Sequence, residues 1–499
     1  MISVDIVLQV FTLLTGTPLV IVAILGVAWG IMGGALPGIS PSIAMALLLP
    51  FTYGMEPGSA IVLLAAVYVG AEYGGSIPAI LINTPGTNAA AATVLDGHAM
   101  YKQGLGSEAL GISLYSGVIG SLFGLLMLVA LTEPLAQLAL AFTPMSYFAL
   151  GILGLSIIAS LSGKSVLKGL AAGVLGLMIA SVGSDPISGL PRFTFGRPEL
   201  LDGIAPMLVM VGLFAVSELF YQSSTGHWDR TSAIRLRFPN AALRRRLVKP
   251  QLIGSVIGTF EGVMPGAGGT VASFLSYNEA RRWSGNKQEF GHGSPEGIAA
   301  PEAANNTVAA TALIPVLSFG IPGSNSAAIL LGGLLIHGLV PGPRLFEENG
   351  ELIIALYTGL FVASVALLML GMAALPACLW LVNRSKGYLM AFIYALIFSG
   401  IYSINDSLFD LALVLVSGLV GLLMRMVGLP LLPTVLGLVL GYLVESNYRR
   451  SLVLSGGDHS IFIEDGIALA LLAVAFAFIV GSFATRAWHF VRELKGTAA

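Results

Sequence analysis

The chain has 499 residues, of which 56% are apolar and 10% charged, with a mean hydropathy of +0.88 and a net charge of −2. Soluble domains carry about 25% charged residues, so the composition excludes a soluble globular protein and predicts an all-α polytopic membrane protein. No basic, aromatic-interleaved patch points to nucleic acid. The single Cys378 excludes an intrachain disulfide or a cysteine metal cluster, and no Walker loop or HExxH motif indicates an ATP motor or a zinc protease.

The first hydrophobic segment has no basic region before it and is not expected to be a cleaved signal peptide. Apolar runs then recur along the chain: Ala60–Gly70 continuing to Ile82, Leu110–Leu131, Met145–Leu161, Val166–Val182, Ile204–Tyr221, Leu352–Val382, Gly387–Ile401, Leu408–Met426 and Gly466–Ala484. At roughly 20 residues per crossing they predict about 11 or 12 spans. Lys102 is the first basic residue, which places the N-terminus outside and the Lys102 loop inside under the positive-inside rule. Glu133 marks an external loop, Lys164 and Lys168 an internal one, and the loop carrying Asp185, Arg192, Arg197, Glu199 and Asp202 has no net base and reads as external.

The largest polar segment, Gln222 to Gln251, holds Arg230, Arg235, Arg237, Arg244, Arg245, Arg246 and Lys249 and is expected to be cytoplasmic. Topology alone accounts for it, with contact to anionic lipid or a partner as the alternative. It divides the chain into a first transmembrane half at 1–221, a linker at 222–250 and a second transmembrane half at 251–499.

The two halves repeat. "GIMGGALPGISPSIA" from Gly30 aligns with "GTFEGVMPGAGGTVA" from Gly258, and "IPAILINTPGTNAA" from Ile77 aligns with "IPVLSFGIPGSNSA" from Ile314. With a cytoplasmic linker between them, the copies are expected to run in opposite directions, as in the inverted repeats of secondary transporters.

Each copy carries two Pro-Gly pairs inside apolar sequence: Pro37-Gly38 and Pro85-Gly86, then Pro265-Gly266 and Pro322-Gly323. Such pairs break helices and free backbone groups, which is tolerated in a bilayer only where protein or a wet cavity surrounds them. Small polar residues follow: Ser40, Thr87 with Asn88, Thr270, and Ser324 with Asn325. Helix N-termini suit an anion and side-chain oxygens suit sodium, so these four tips are the expected substrate and ion site. Kinks and helix-packing glycines are the competing explanation.

The stretches "GALPGISPSIAMALLLPFTYGMEP", "YGGSIPAILINTPG", "VLDGHA", "GVMPGAGGTVASFLSYNEARR", "APEAANN", "FGIPGSNSAAILLGGLLIHGLVPGP" and "LVLSGGD" resemble the large permease subunit of the tripartite tricarboxylate transporters, from about Gly26 to Asp458. The resemblance implies a bacterial inner-membrane permease that works with a small four-helix membrane subunit and a periplasmic solute-binding protein. It also implies import of citrate-like carboxylates driven by sodium or protons, with no organic cofactor. A scaffold subunit that only docks the binding protein and an intramembrane hydrolase are the alternatives.

The remaining chemistry is intramembrane charge. Glu72 stands where the family resemblance leads one to expect Gln, and Glu261 where a neutral residue is commoner. Acids at membrane depth are candidate functional groups, here to bind the coupling cation or relay a proton, with an inert, hydrogen-bonded interfacial residue as the alternative. Glu302, Asn305 and Asn306 form a denser cluster, with 302 and 306 on one helix face. His98, His337, Asn405 and Asp406 read as structural.

Overall fold

The structure, a computed structural model, describes residues 12, 18–36, 39–83, 85–161, 165–185, 190–223, 236–264, 268–382 and 386–480. Pro37, Gly38, Lys164, Arg230, Arg235, Pro265 and Gly266 lie outside the described residues.

The helices in chain order are α1 (Pro18–Gly34), α2 (Pro41–Thr52), α3 (Pro57–Gly74), α4 (Ser76–Ile82), α5 (Ala91–Lys102), α6 (Gly106–Ala139), α7 (Pro144–Leu161) and α8 (Val166–Ala180). After a two-residue hairpin of β1 (Gly183–Ser184) and β2 (Pro191–Arg192) come α9 (Pro206–Met210), a π-helical stretch Val211–Val216, α10 (Ser217–Ser223), α11 (Ala241–Val263) and α12 (Gly268–Trp283). They are followed by α13 (Pro295–Thr311), α14 (Leu313–Phe319), α15 (Asn325–Ile336), α16 (Pro343–Glu348), α17 (Gly350–Ala373) and α18 (Leu375–Val382). The last are α19 (Lys386–Asn405), α20 (Leu408–Met426), α21 (Leu431–Leu454), α22 (Ile461–Glu464) and α23 (Gly466–Val480).

Among the described residues, five helices are long and apolar enough to cross a membrane: Pro57–Ile82, Gly106–Leu138, Gly350–Ala373, Leu408–Met426 and Leu431–Leu454. Shorter apolar helices of 10–17 residues, such as Pro18–Gly34, Pro41–Thr52 and Asn325–Ile336, accompany them. The protein is an all-α polytopic membrane protein in which several apolar segments are interrupted. The basic segment is helical where α11 begins, so Arg244, Arg245, Arg246 and Lys249 stand on its first turns.

By compactness the chain divides into one unit formed by Met1–Gln137 and Met210–Leu419 and a second formed by Leu138–Val209 and Val420–Ala499. Each unit draws on both sequence halves.

In the first unit the two repeated sequences adopt the same succession of elements. A helix (α1, α11) leads into a break and a second helix (α2, α12). A long helix (α3, α13) then continues into a seven-residue helix (α4, α14), a Pro-Gly turn and a twelve-residue helix, α5 in the first copy and α15 in the second. α1 folds back on α2, tied by the Trp29 indole donating to the Ala44 carbonyl at 3.0 Å.

Glycines spaced by four make the close packing possible. A Cβ at Gly30 would lie 2.3 Å from the Val67 oxygen and one at Gly34 2.2 Å from the Ala71 oxygen, so α1 touches α3 backbone to backbone. Gly254 and Gly258 repeat this against the Ala300 and Ala304 oxygens of α13, at 2.2 and 2.4 Å.

The copies are clasped together at the middle of α5. The fully buried Asp96 accepts the amides of Gly291, Gly293 and Ser294 through Oδ1, each at 2.8 Å. Positive φ at Gly291 (84°) and Gly293 (103°) aims these amides inward, a conformation that glycine adopts without strain. Arg246 of α11 pairs with Glu289 in the same loop and, at 2.7 Å, with Glu296 in the first turn of α13.

The second unit is built on α8 and α21, again through glycine: a Cβ at Gly176 would lie 1.9 Å from the Thr434 oxygen and one at Gly437 2.2 Å from the Gly173 oxygen. Asp185, Arg192, Glu445 and Arg449 form a mutually paired cluster there, with contacts of 2.7–3.3 Å.

Adding a methyl group at the repeat stripes overpacks backbone against backbone. Gly30→Ala and Gly258→Ala are each expected to lower stability by about 1–3 kcal/mol. Gly54→Ala, where nothing lies within 4 Å, is expected to leave the thermal midpoint in detergent unchanged.

Candidate functional site

The first unit sets the two described Pro-Gly turns, Pro85-Gly86 and Pro322-Gly323, beside the crossing of α3 and α13. These helices run in opposite directions there, since Ser76 meets Glu302 while Glu72 meets Asn305. Each break rests on another. The Gly86 amide donates to the Gly75 carbonyl at 3.0 Å, and a Cβ on Gly86 would lie 2.0 Å from the Gly34 oxygen at the end of α1. In the second copy Gly323 abuts the Gly262 oxygen at the end of α11. The copies also touch each other, because a Cβ on Gly269 would lie 3.4 Å from the Ala89 Cβ.

The hydroxyls after the Pro-Gly pairs have a local task. Ser40 caps α2 by accepting from the Ile43 amide, Ser324 caps α15 by accepting from the Ala327 amide at 3.1 Å, and Thr87 accepts from the Ala90 amide at 3.2 Å. Each satisfies an amide that a helix start leaves unpaired. Asn88, Thr270 and Asn325, by contrast, are exposed. Asn88 and Asn325 occupy the same place in the two copies.

Beneath this rim lies a buried polar layer. Tyr68 and Glu72 stand four residues apart on one face of α3, and Ser76, four residues further, opens α4 on the same side. The Tyr68 hydroxyl shares hydrogen bonds with Ser324, at 3.2 Å, and Ser326. Glu72 accepts the Asn305 amide at 2.8 Å and the Thr87 hydroxyl. Glu302 is enclosed by hydroxyls: Ser76 at 2.5 Å and Thr93 donate to Oε1, and Ser113 donates to Oε2 at 3.0 Å. Among the described residues neither carboxylate pairs with a Lys, Arg or His.

Asn306 shares the Glu302 side of the helix but faces α6. It donates to the Glu302 carbonyl at 3.1 Å and accepts from Ser121 at 3.4 Å, so that its neighbour Asn305 is the residue that meets Glu72. Glu261 stands apart, half-buried on α11, with Oε2 lacking a hydrogen-bond partner. An acid-lined cavity of 880 Å³ opens at the start of α3, bordered by Pro18, Glu56, Glu347, Glu348 and Glu351.

Over residues 20–436 the chain matches the Tripartite tricarboxylate transporter TctA family. It belongs to that family. A protein of Agrobacterium vitis described as "Uncharacterized 52.8 kDa protein in TAR-I ttuC' 3'region" is 38% identical over 471 residues, covering 93% of each chain. A second from the same organism, "Uncharacterized protein in TAR-II ttuC' 3'region", is 36% identical over 225 residues, 45% of this chain and 92% of its own length. No solved structure matches. The chain is thus a membrane subunit of a tripartite transporter.

Tyr68, Ser76, Thr93, Ser113 and Asp96 of this TctA-family chain were not singled out in the sequence. The four-residue spacing of Tyr68, Glu72 and Ser76 was a usable signal. Thr93 and Ser113 carried none, because their partner Glu302 is 209 and 189 residues away.

Thr93→Val and Ser113→Ala each remove one donor from the buried Glu302 carboxylate. A hydrogen bond to a charged group contributes about 1.5–3 kcal/mol, so each variant should unfold at a lower temperature by that order. The double variant should fall short of the sum, because both act on one carboxylate.

Proposed function

We propose that this chain is the permease subunit through which a binding-protein-dependent system imports a tricarboxylate or related carboxylate, driven by symport of sodium or protons. The observation that carries the reading is the meeting of the described helix breaks over two buried carboxylates that, among the described residues, no base neutralises. Polar groups so placed inside a membrane protein are costly unless they serve a ligand or ion. The opposite directions of α3 and α13, and the matching element order of the two copies, support an inverted repeat with the site at its axis.

In this reading the rim of Asn88, Thr270 and Asn325 meets the carboxylate. Pro37, Gly38, Ser40, Pro85, Gly86, Thr87, Pro265, Gly266, Pro322, Gly323 and Ser324 shape the tips around it. Glu72, Glu302, Asn305 and Asn306 form the layer that answers to the cation, and Glu261 is a further acid near the second break. The acid-lined cavity at the start of α3 raises the local cation concentration. The partners are a small four-helix membrane subunit and a periplasmic binding protein, in a bacterial inner membrane with the N-terminus outside and the 222–250 segment in the cytoplasm.

The test is carboxylate uptake by proteoliposomes holding this chain with its two partners, under an imposed sodium or pH gradient. Asn88→Ala with Asn325→Ala removes two hydrogen bonds to a charged carboxylate at about 1.5 kcal/mol or more each and is expected to weaken uptake about a hundredfold or more with assembly intact. Wild-type uptake by the normally expressed double variant would show that the rim does not hold substrate, as a mere docking scaffold requires.

A further inference from the structure

Glu72 and Glu302 occupy the same helix crossing, yet their surroundings differ. Hydroxyl donors converge on both oxygens of Glu302 from α4, α5 and α6. Glu72 has an amide and one hydroxyl, and the amide belongs to a residue that is itself incompletely satisfied. Asn305 is only 2% exposed and donates to Glu72 Oε2 at 2.8 Å, while its Oδ1 is buried with no partner. Buried acceptors in folded proteins are rarely left so, and an orphan beside an unpaired carboxylate marks a place for a cation.

Only glycine is tolerated in front of that oxygen. A Cβ on Gly269 would lie 2.5 Å from Asn305 Oδ1, so a larger residue there would close the gap between the start of α12 and the first tip. Carboxylate and amide oxygens are hard ligands that suit sodium. Among the described residues no three His, Cys, Asp or Glu side chains gather as a transition metal needs.

We infer that the Glu72 carboxylate and Asn305 Oδ1 hold one sodium ion, and that this ion is bound before a carboxylate occupies the rim above it. The inference rests on the transporter reading and adds the ligands and the order of binding. The order follows from charge. A carboxylate arriving at Asn88, Thr270 and Asn325 comes down over Glu72, and among the described residues no Lys or Arg side chain pairs with it to offset the repulsion. Sodium removes it. Glu302, already ringed by hydroxyls, holds α4, α5 and α6 around the site and does not ligate the ion.

The experiment uses the purified full-length chain in detergent without carboxylate, and follows thermal unfolding as sodium chloride replaces choline chloride at constant ionic strength and pH. Sodium should raise the wild-type midpoint saturably. Glu72→Gln should abolish the sodium response while unfolding in choline no earlier than wild type, because the uncompensated charge is gone. A residue with a purely structural role would instead give a variant weakened in both salts. Asn305→Ser should need at least tenfold more sodium for its half-maximal response, and Ser113→Ala should keep the wild-type sodium dependence despite its lower midpoint.

In sodium, wild type should also bind citrate, used as the probe, more tightly than in choline, whereas Glu72→Gln should bind it equally in both. Equal wild-type midpoints in sodium and choline, or an undiminished sodium response in Glu72→Gln, would overturn the inference while leaving gradient-driven uptake possible. Failure of the transporter reading would look different: no uptake by the complete system, with sodium still stabilising the wild-type chain.

Discussion

A backbone amide or carbonyl freed inside a bilayer has no water to turn to, and the first unit is organised around that constraint. Every described break in the repeated sequences finds its partners within the protein. Ser40, Thr87 and Ser324 accept the amides that begin the next turn, and Gly86 donates to Gly75. Such tips can only persist where other backbone shields them. The glycine stripes at Gly30 and Gly34, and at Gly254 and Gly258, supply that shielding by letting α1 and α11 lie directly on α3 and α13.

The same closeness concentrates polar side chains. Where the described breaks lie side by side, the hydroxyl and amide groups that follow them come close too. Those that cap helices turn inward, and those with no backbone task, Asn88, Thr270 and Asn325, face out. The result is two layers of different character. The rim is neutral and accessible, while the layer below is anionic and lies 5% exposed or less at Glu72, Glu302, Asn305 and Asn306. A permease for a multivalent anion driven by a cation needs such a division, because anion and cation must be close without sharing ligands.

Much of this was legible in the sequence because it rests on local chemistry. Composition set the all-α membrane class, and the paired Pro-Gly motifs marked the breaks through residues that cannot continue a helix. Glu72 stood out as an acid in an apolar run. What stayed hidden depends on which helix lies opposite. Helical periodicity grouped Glu302 with Asn306, but only the antiparallel crossing decides that Asn305 meets Glu72. Asp96 was not singled out, and its role emerges only with the three amides it accepts from residues 195 to 198 positions away. The expected division into 1–221 and 251–499 follows the repeat, whereas compactness follows packing, and each compact unit takes segments from both halves.

The central claim is that breaks from the two halves meet at one place, and a cross-link tests it directly. The chain's single Cys378 can be replaced by Ser, and cysteines introduced at Ala89 and Gly269, whose Cβ positions are 3.4 Å apart, near the usual disulfide separation. After mild oxidation in membranes and cleavage at a protease site inserted in the 222–250 segment, the two halves should remain joined until reductant is added. Halves that separate without reductant, although each cysteine alone reacts with a thiol reagent, would contradict the account.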